Sequence, residues 1–523
     1  MSKSRIGSWL AAFAMTIALV FGITTPAMAV TSGDTGSVSL GNIEAGTQID
    51  VYHVIRVTWD DDDDQPQEPA YVWSTEGGAA SVANWVKGEY PAYIDATTNA
   101  VTEAFEKADT KAFYDELSAA IKGGTVALTT EKTETAGATA TTIDDLALGT
   151  HLFIIRNSTN YVYQPVAQNV VPVWNEQSQK WKVENPVVKI DVKRSPVDIK
   201  KTVENVKIIG AQYGDTVNYD LTVPVPQYPD NAFNKLFYIS DNLSQGLTLD
   251  KSSIKVYGVK GNKETLLVAG TDYQLTETDA KGNSASFGID MNEPRYDKVK
   301  QYGSIHVDYN AVVNNEAEIS ATGNPNEAKL EFNNDPYNND GYKTDTDKTT
   351  VFTFGIDIAK LDKDGNTPLS GAEFNLSTKQ DGSNPMEFVE ESAGVYHLYD
   401  AKNDAGKKPS ATLKVSDKGK LDLKGLDEGT YYLIETKAPG GYIKPSGAVT
   451  ITITAVKDQA GNITGSVVKQ FQDKIGYVPE KVLNDKGFNL PQTGGAGTIA
   501  ITAAGVCVMA GAAIVLLRSR RNN

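Results

Sequence analysis

Over most of its length the chain alternates apolar and polar residues in short runs, the period of half-buried β-strands. Such runs predict strands at residues 48–57, 151–156, 215–225, 252–259, 304–312, 326–332, 351–360, 371–376, 429–435 and 449–455. Gly, Asn, Asp and Pro clusters between them supply the turns. Helical spacing occurs mainly in one place, where Val101, Phe105 and Ala108, then Phe113, Leu117 and Ile121, recur at three and four residues. The pattern predicts a mainly β protein of tandem immunoglobulin-like sandwiches, with some helix in the N-terminal domain. Expected boundaries are 30–193, 194–350 and 351–489.

Two apolar runs are too long for strands. Residues 9–23 follow Lys3 and Arg5 and precede Ala27-Met28-Ala29, the form of an export signal that would occupy residues 1–29. Residues 495–517 have the length of a membrane span, and Arg518, Arg520 and Arg521 hold the tail, 518–523, on the cytoplasmic side. The only cysteine, Cys507, lies within that span, so an exported chain has no disulfide and must be secured otherwise.

Charge and composition narrow the function. A net charge of −17 argues against nucleic acid as a partner. With no cysteine outside the span, and four histidines in no metal-ligand or triad spacing, neither thiol catalysis nor a metal or other cofactor is expected. The acidic run Asp60–Asp64 lacks the spacers of a cation loop and reads as solvated, and Asp362-Lys363-Asp364-Gly365-Asn366 reads as a β-turn.

The candidate chemistry lies in two lysines. In Val197-Asp198-Ile199-Lys200-Lys201, alternation puts Lys201 on the face of Val197 and Ile199. In Ile356-Asp357-Ile358-Ala359-Lys360 it does the same for Lys360. An ammonium aimed into a core must be paired or give up its proton, and a neutral amine is a nucleophile. The N-terminal domain has no inward lysine near residues 51–57.

Family motifs accompany these lysines. Residues 431–442, YYLIETKAPGGY, fit YxLxETxAPxGY, and Leu369-Ser370-Gly371-Ala372-Glu373-Phe374 fits LxGAxF. This stretch resembles the CnaB-type domains of Gram-positive pilins and adhesins. The resemblance implies an autocatalytic isopeptide bond with Lys360 as nucleophile, Glu435 as acid and Asn484 as acceptor, Asp473 being the rival acceptor. A protonated Glu435 would donate to the amide oxygen as charge develops there. The segments around Asp241 and residues 330–336, LEFNNDP, resemble the CnaA-like middle domains of pilins, implying Lys201, Asp241 and Asn334.

Leu490-Pro491-Gln492-Thr493-Gly494, the span and the basic tail together resemble a wall-sorting signal. By that resemblance a sortase cuts between Thr493 and Gly494 and passes the acyl group to an amine. Residues 188–193, VKIDVK, are similar to part of the polymerising motif of major pilins, implying Lys193, with Lys189 as the alternative. The expected protein is a shaft subunit of a covalent surface pilus, secreted, held first in the membrane and then by the cell wall. The alternative is a wall-anchored adhesin or a minor or basal pilin of the same build. Implied partners are sortase, identical subunits, minor pilins and peptidoglycan, with a host receptor that no residue names.

Overall fold

A computed structural model describes residues 30–176, 179–183, 188–464 and 476–487. The export signal, Asp473, the sorting motif with Thr493 and Gly494, the span and the tail lie outside these residues. Among the described residues no helix is long and apolar enough to cross a membrane.

Mixed, mainly antiparallel sheets follow one another along the chain. In the N-terminal part the strands run in the order Gln65–Trp73, Gln48–Asp60, Gly149–Arg156, Val166–Val170, and Lys132–Thr135 also pairs with Gln48–Asp60. A second sheet places Thr35–Gly41 between Val188–Asp191 and Thr141–Ala147. Helices Glu103–Glu106 and Lys111–Lys122 form where the apolar spacing predicts them, and Phe105, Phe113, Leu117 and Ile121 are their buried stripe. Their rings cover the end of the Gln65–Trp73 strand, with Trp73 and Phe105 centroids 4.8 Å apart. A further helix, Val82–Glu89, was not among the expected elements; Ser81 caps it by accepting from Asn84 N at 3.3 Å. The loop after Asp60 is exposed.

The middle part is a sandwich. One sheet runs Lys200–Val203, Thr216–Pro224, Ser304–Val313, Lys255–Lys260, Lys263–Leu266. The other runs Ile208–Gly210, Lys343–Phe352, Asn324–Phe332, Phe237–Leu243, Ser284–Asp290, Gln274–Thr278. The expected strand 351–360 is divided between two sandwiches: Lys343–Phe352 closes the middle one and Phe354–Asp362 opens the next.

In the C-terminal sandwich the first strand, Phe354–Asp362, pairs in parallel with the last, Tyr477–Asn484, and antiparallel with Lys420–Leu426. Glu373–Ser377, Gly429–Lys437 and Val449–Ile453 build the facing sheet. Asp362–Asn366 forms the expected turn: Asp364 Oδ1 accepts from Asn366 N at 2.8 Å and Thr367 N at 2.9 Å.

Backbone bonds knit the parts together. Tyr213 N donates to Gly425 O (3.0 Å) and Ile463 N to Ile208 O (3.0 Å). Gly425 has φ of 83°, and a Cβ there would come within 2.3 Å of the Tyr213 ring, so only glycine admits this approach. Between the N-terminal and middle parts, buried Asp115 accepts from Tyr337 Oη at 2.7 Å and from Asn231 N at 3.0 Å. Asp115→Ala would strand both donors. Loss of about 2 to 5 kcal/mol in denaturant-induced unfolding is expected, and an unchanged midpoint would show that the contact is dispensable.

Candidate functional site

The C-terminal sandwich brings a lysine, an amide and a carboxyl together in its core. Parallel register pairs Lys360 with Val482, and Asn484, two residues on, shares the inward face of Val482. Lys360 Nζ therefore reaches both Val482 O, at 3.0 Å, and Asn484 Oδ1, in direct contact. Glu435 stands on the Gly429–Lys437 strand of the facing sheet and accepts from Asn484 Nδ2 at 2.9 Å. All three residues are buried.

Burial pushes the Lys360 amine below and the Glu435 carboxyl above their ordinary values, each shift being toward the uncharged form. Among the described residues Glu435 Oε2 has no hydrogen-bond partner, a costly position for a carboxylate and an easier one for a neutral acid. The arrangement differs from expectation in one respect: Glu435 faces the amide nitrogen, not its oxygen. It is placed to protonate a departing nitrogen.

The middle sandwich holds a second site. Lys201, on the first strand of one sheet, is completely buried and contacts Asp241 Oδ2, on the Phe237–Leu243 strand of the other. Tyr309 links the groups: its hydroxyl donates to Asp241 Oδ2 at 2.9 Å and accepts from Lys201 Nζ at 2.7 Å and from Asn326 Nδ2 at 2.8 Å. One donor and two acceptor positions exhaust a hydroxyl. Burial brings the Lys201 amine down to about 8, against the attraction of Asp241, and raises the Asp241 carboxyl. Asp241 Oδ1 and Asn326 Oδ1 are both buried without hydrogen-bond partners.

Asn334 is not in this site. Its Nδ2 donates to Ser158 O at 2.9 Å, in the N-terminal part, and its own carbonyl accepts from Asn157 N at 3.0 Å. The alternation used to orient it stops at Phe332, where the strand ends and the chain bends. Carried back along the strand, the same alternation puts Asn326, Ala328, Leu330 and Phe332 on the inward face, and Asn326 is the amide that Tyr309 links to Lys201. That residue was legible in the sequence; Tyr309, on a separate strand, carried no signal beyond its own alternation.

Lys193 and Lys189 are both exposed. Lys189 sits in the Val188–Asp191 strand, opposite Ser39 of the parallel neighbour. Lys193 follows that strand, its backbone held by Val192 N to Gly41 O (3.1 Å) and Gln164 N to Lys193 O (3.0 Å).

Comparison with known proteins gives this architecture its class. The prealbumin-like fold domain of the SpaA family matches residues 354–466. The Gram-positive pilin backbone subunit 2, Cna-B-like domain, matches residues 213–336, the sandwich that sequence motifs likened to CnaA. The LPXTG cell wall anchor motif matches residues 483–523. The trypsin-resistant surface T6 protein of Streptococcus pyogenes serotype M6 is 27% identical over 382 residues, 61% of this chain and 67% of that protein. Fimbrial subunit type 1 of Actinomyces viscosus is 26% identical over 392 residues, 68% and 69% of the two chains. The solved T6 backbone pilin of serotype M6 Streptococcus pyogenes superposes with a TM-score of 0.58 at 19% identity, covering 88% of this chain and all of that one.

The chain is thus a cell-wall-anchored surface protein made of successive Cna-B-like and prealbumin-like β modules. More particularly, it is a structural backbone subunit of the Gram-positive pilin type.

The geometry of the middle site generates a test. Intact-mass measurement of the chain from residue 30 to residue 489 is expected to show a deficit of two ammonias. Asn326→Ala should reduce this to one ammonia, whereas Asn334→Ala should retain both. The reverse result would restore Asn334 as acceptor.

Proposed function

We propose that this backbone subunit is polymerised through Thr493 and Lys193 and that its two later domains are each closed by an internal Lys-Asn isopeptide bond. The observation that carries the internal bonds is the Lys360 amine against the Asn484 amide, with an acid-leaning Glu435 at the amide nitrogen. In the middle domain the corresponding set is Lys201, Asp241 and Asn326, oriented by Tyr309. The domains are taken as 30–193, 194–350 and 351–489, following an export signal at 1–29.

In each domain the neutral lysine amine attacks the side-chain carbonyl carbon of the asparagine. A tetrahedral intermediate forms, the proton released from Nζ passes to the neighbouring carboxyl group, and that group protonates the amide nitrogen, directly from Glu435 and by way of the Tyr309 hydroxyl from Asp241. Ammonia leaves and the lysine-asparagine amide remains. Both partners are fixed by strands of one sandwich, so the reaction depends on proximity and occurs once. A deficit of one ammonia and one water would instead assign Asp473 as the C-terminal acceptor.

Polymerisation needs an exchange at the other end. A sortase thiol attacks the Thr493 carbonyl, Gly494 departs with its amino group, and a thioester remains; the Lys193 amine of another subunit then displaces the thiol. Exposure of Lys193 at the end of the N-terminal domain supports this role, while Lys201 and Lys360 are enclosed. Peptidoglycan and minor pilins are the further acyl acceptors or donors of the same chemistry. A host receptor contact belongs to the adhesin alternative.

Two substitutions test these roles. Glu435→Gln keeps the shape of the site but removes the acid, and the C-terminal domain should remain unlinked. The bond spans 124 positions, and the chain-entropy model assigns a cross-link of that length about 5 kcal/mol. The melting temperature should therefore fall by roughly ten degrees or more; equal melting with the bond shown absent by mass would refute the stabilising role. Lys193→Ala should abolish the ladder of high-mass species in wall extracts while monomer stays attached. A surviving ladder with Thr493 joined to Lys189 would move the junction, and no ladder in the parent would favour the adhesin.

A further inference from the structure

The N-terminal part has no inward lysine, yet it buries another cluster. His53 and His151 are direct cross-strand partners on the Gln48–Asp60 and Gly149–Arg156 strands, so their rings project from one face of the sheet. The rings stack with centroids 4.6 Å apart and planes 14° from parallel. Glu131 arrives from the other side of the Gln48–Asp60 strand, its N–H donating to Val51 O at 2.8 Å just before Lys132–Thr135 pairs there. Three separate segments thus deliver two imidazoles and a carboxylate to one place.

Their polar atoms are poorly satisfied by one another. His151 is completely buried, and among the described residues neither ring nitrogen has an aligned hydrogen-bond partner. Its Nε2 lies 3.0 Å from Glu131 Oε2, an ion-pair contact, and among the described residues neither of these two atoms has a further hydrogen-bond partner. Such groups normally find partners. Gly149 lets the backbone pass close beside them: a Cβ there would lie 2.2 Å from His53 Nε2.

We propose that His53, Glu131 and His151 bind one divalent transition-metal cation of the zinc class. One ligand atom from each residue lies within 4.8 Å of the other two. Donors around tetrahedral zinc stand about 3.4 Å apart, so small side-chain rotations close the set. Two imidazole nitrogens and one carboxylate oxygen suit zinc and its neighbours better than calcium or magnesium, which take oxygen. His53 Nε2 is 3.1 Å from Leu148 O. Binding uses the tautomer with the His53 proton on Nδ1, which frees Nε2. The fourth position is open to water. The ion would tie the two central strands to the Glu131 segment, a reversible link in the domain without a lysine bond.

His306 offers a comparison, since Asp220 and Asp308 are also close enough to share an ion with it. There, however, both ring nitrogens already have carboxylate partners, Glu264 and Asp220, on a partly exposed face. It serves as the control.

The test uses the full mature chain stripped with a chelator, then titrated with Zn²⁺ by calorimetry and with Co²⁺ by visible absorption. One equivalent is expected, with an intense low-coordination Co²⁺ band and a higher first melting transition in Zn²⁺. Glu131→Gln, a near-isosteric change at a partly exposed residue, and His53→Gln should each weaken binding at least tenfold with circular dichroism unchanged. His306→Gln should bind as the parent does. Absence of binding, parental affinity in Glu131→Gln, or loss of binding in His306→Gln would each overturn the proposal.

Discussion

A charged amine does not belong inside a β-sandwich. Placing an ammonium there costs several kcal/mol unless it is paired or neutralised, and this chain does so twice, with Lys201 and Lys360 both fully enclosed. The surroundings of each lysine answer that cost. Lys201 meets a carboxyl directly, and Tyr309 shares its hydroxyl among amine, acid and amide. Among the described residues Lys360 meets the oxygens of Val482 and Asn484, with the carboxyl one group away. The same problem is met by a near ion pair in one sandwich and by carbonyl dipoles in the other. In both, the facing sheets hold the acid and the strand register holds the amide.

The joints between modules follow a different physics. They are made of backbone bonds and small or polar residues: Tyr213 on Gly425, Asp115 on Tyr337, Asn334 on Ser158. Asn334 illustrates the change of function along a few residues. At Phe332 the chain is still a core strand; two residues later its side chain serves the neighbouring module.

This boundary also explains what could be read in advance. Lys201 and Lys360 lie on regular strands, where a period of two predicts the inward face, and Glu435 and Asn484, implied by family motifs, lie on strands too; the structure places all four inward. Asn334 lies beyond a strand end, where parity has no force, and Asn326 within the same strand is the inward amide. The helices with Phe105 and Phe113 were visible in their spacing, whereas Val82–Glu89, with buried Val82, Ala83 and Val86, shows too short a stripe to stand out. The division at Thr353 falls a few residues past the expected boundary at 350/351, because an apolar run continues through it. His53 and His151 were unreadable as a pair, since only strand register brings them together.

The parallel pairing of the first and last strands of the C-terminal sandwich has a mechanical meaning. Tension on a filament enters this module at Phe354 and leaves past Asn484. Between parallel neighbours such a pull acts in shear, loading many hydrogen bonds at once instead of opening them one by one. With Lys360 joined to Asn484, the load would run along the first few residues of one strand, cross the new amide and exit. Residues 361–483, nearly the whole module, would carry none of it. Their loops are then free to vary without weakening the filament, and the length of the module under load is set by a handful of covalent bonds.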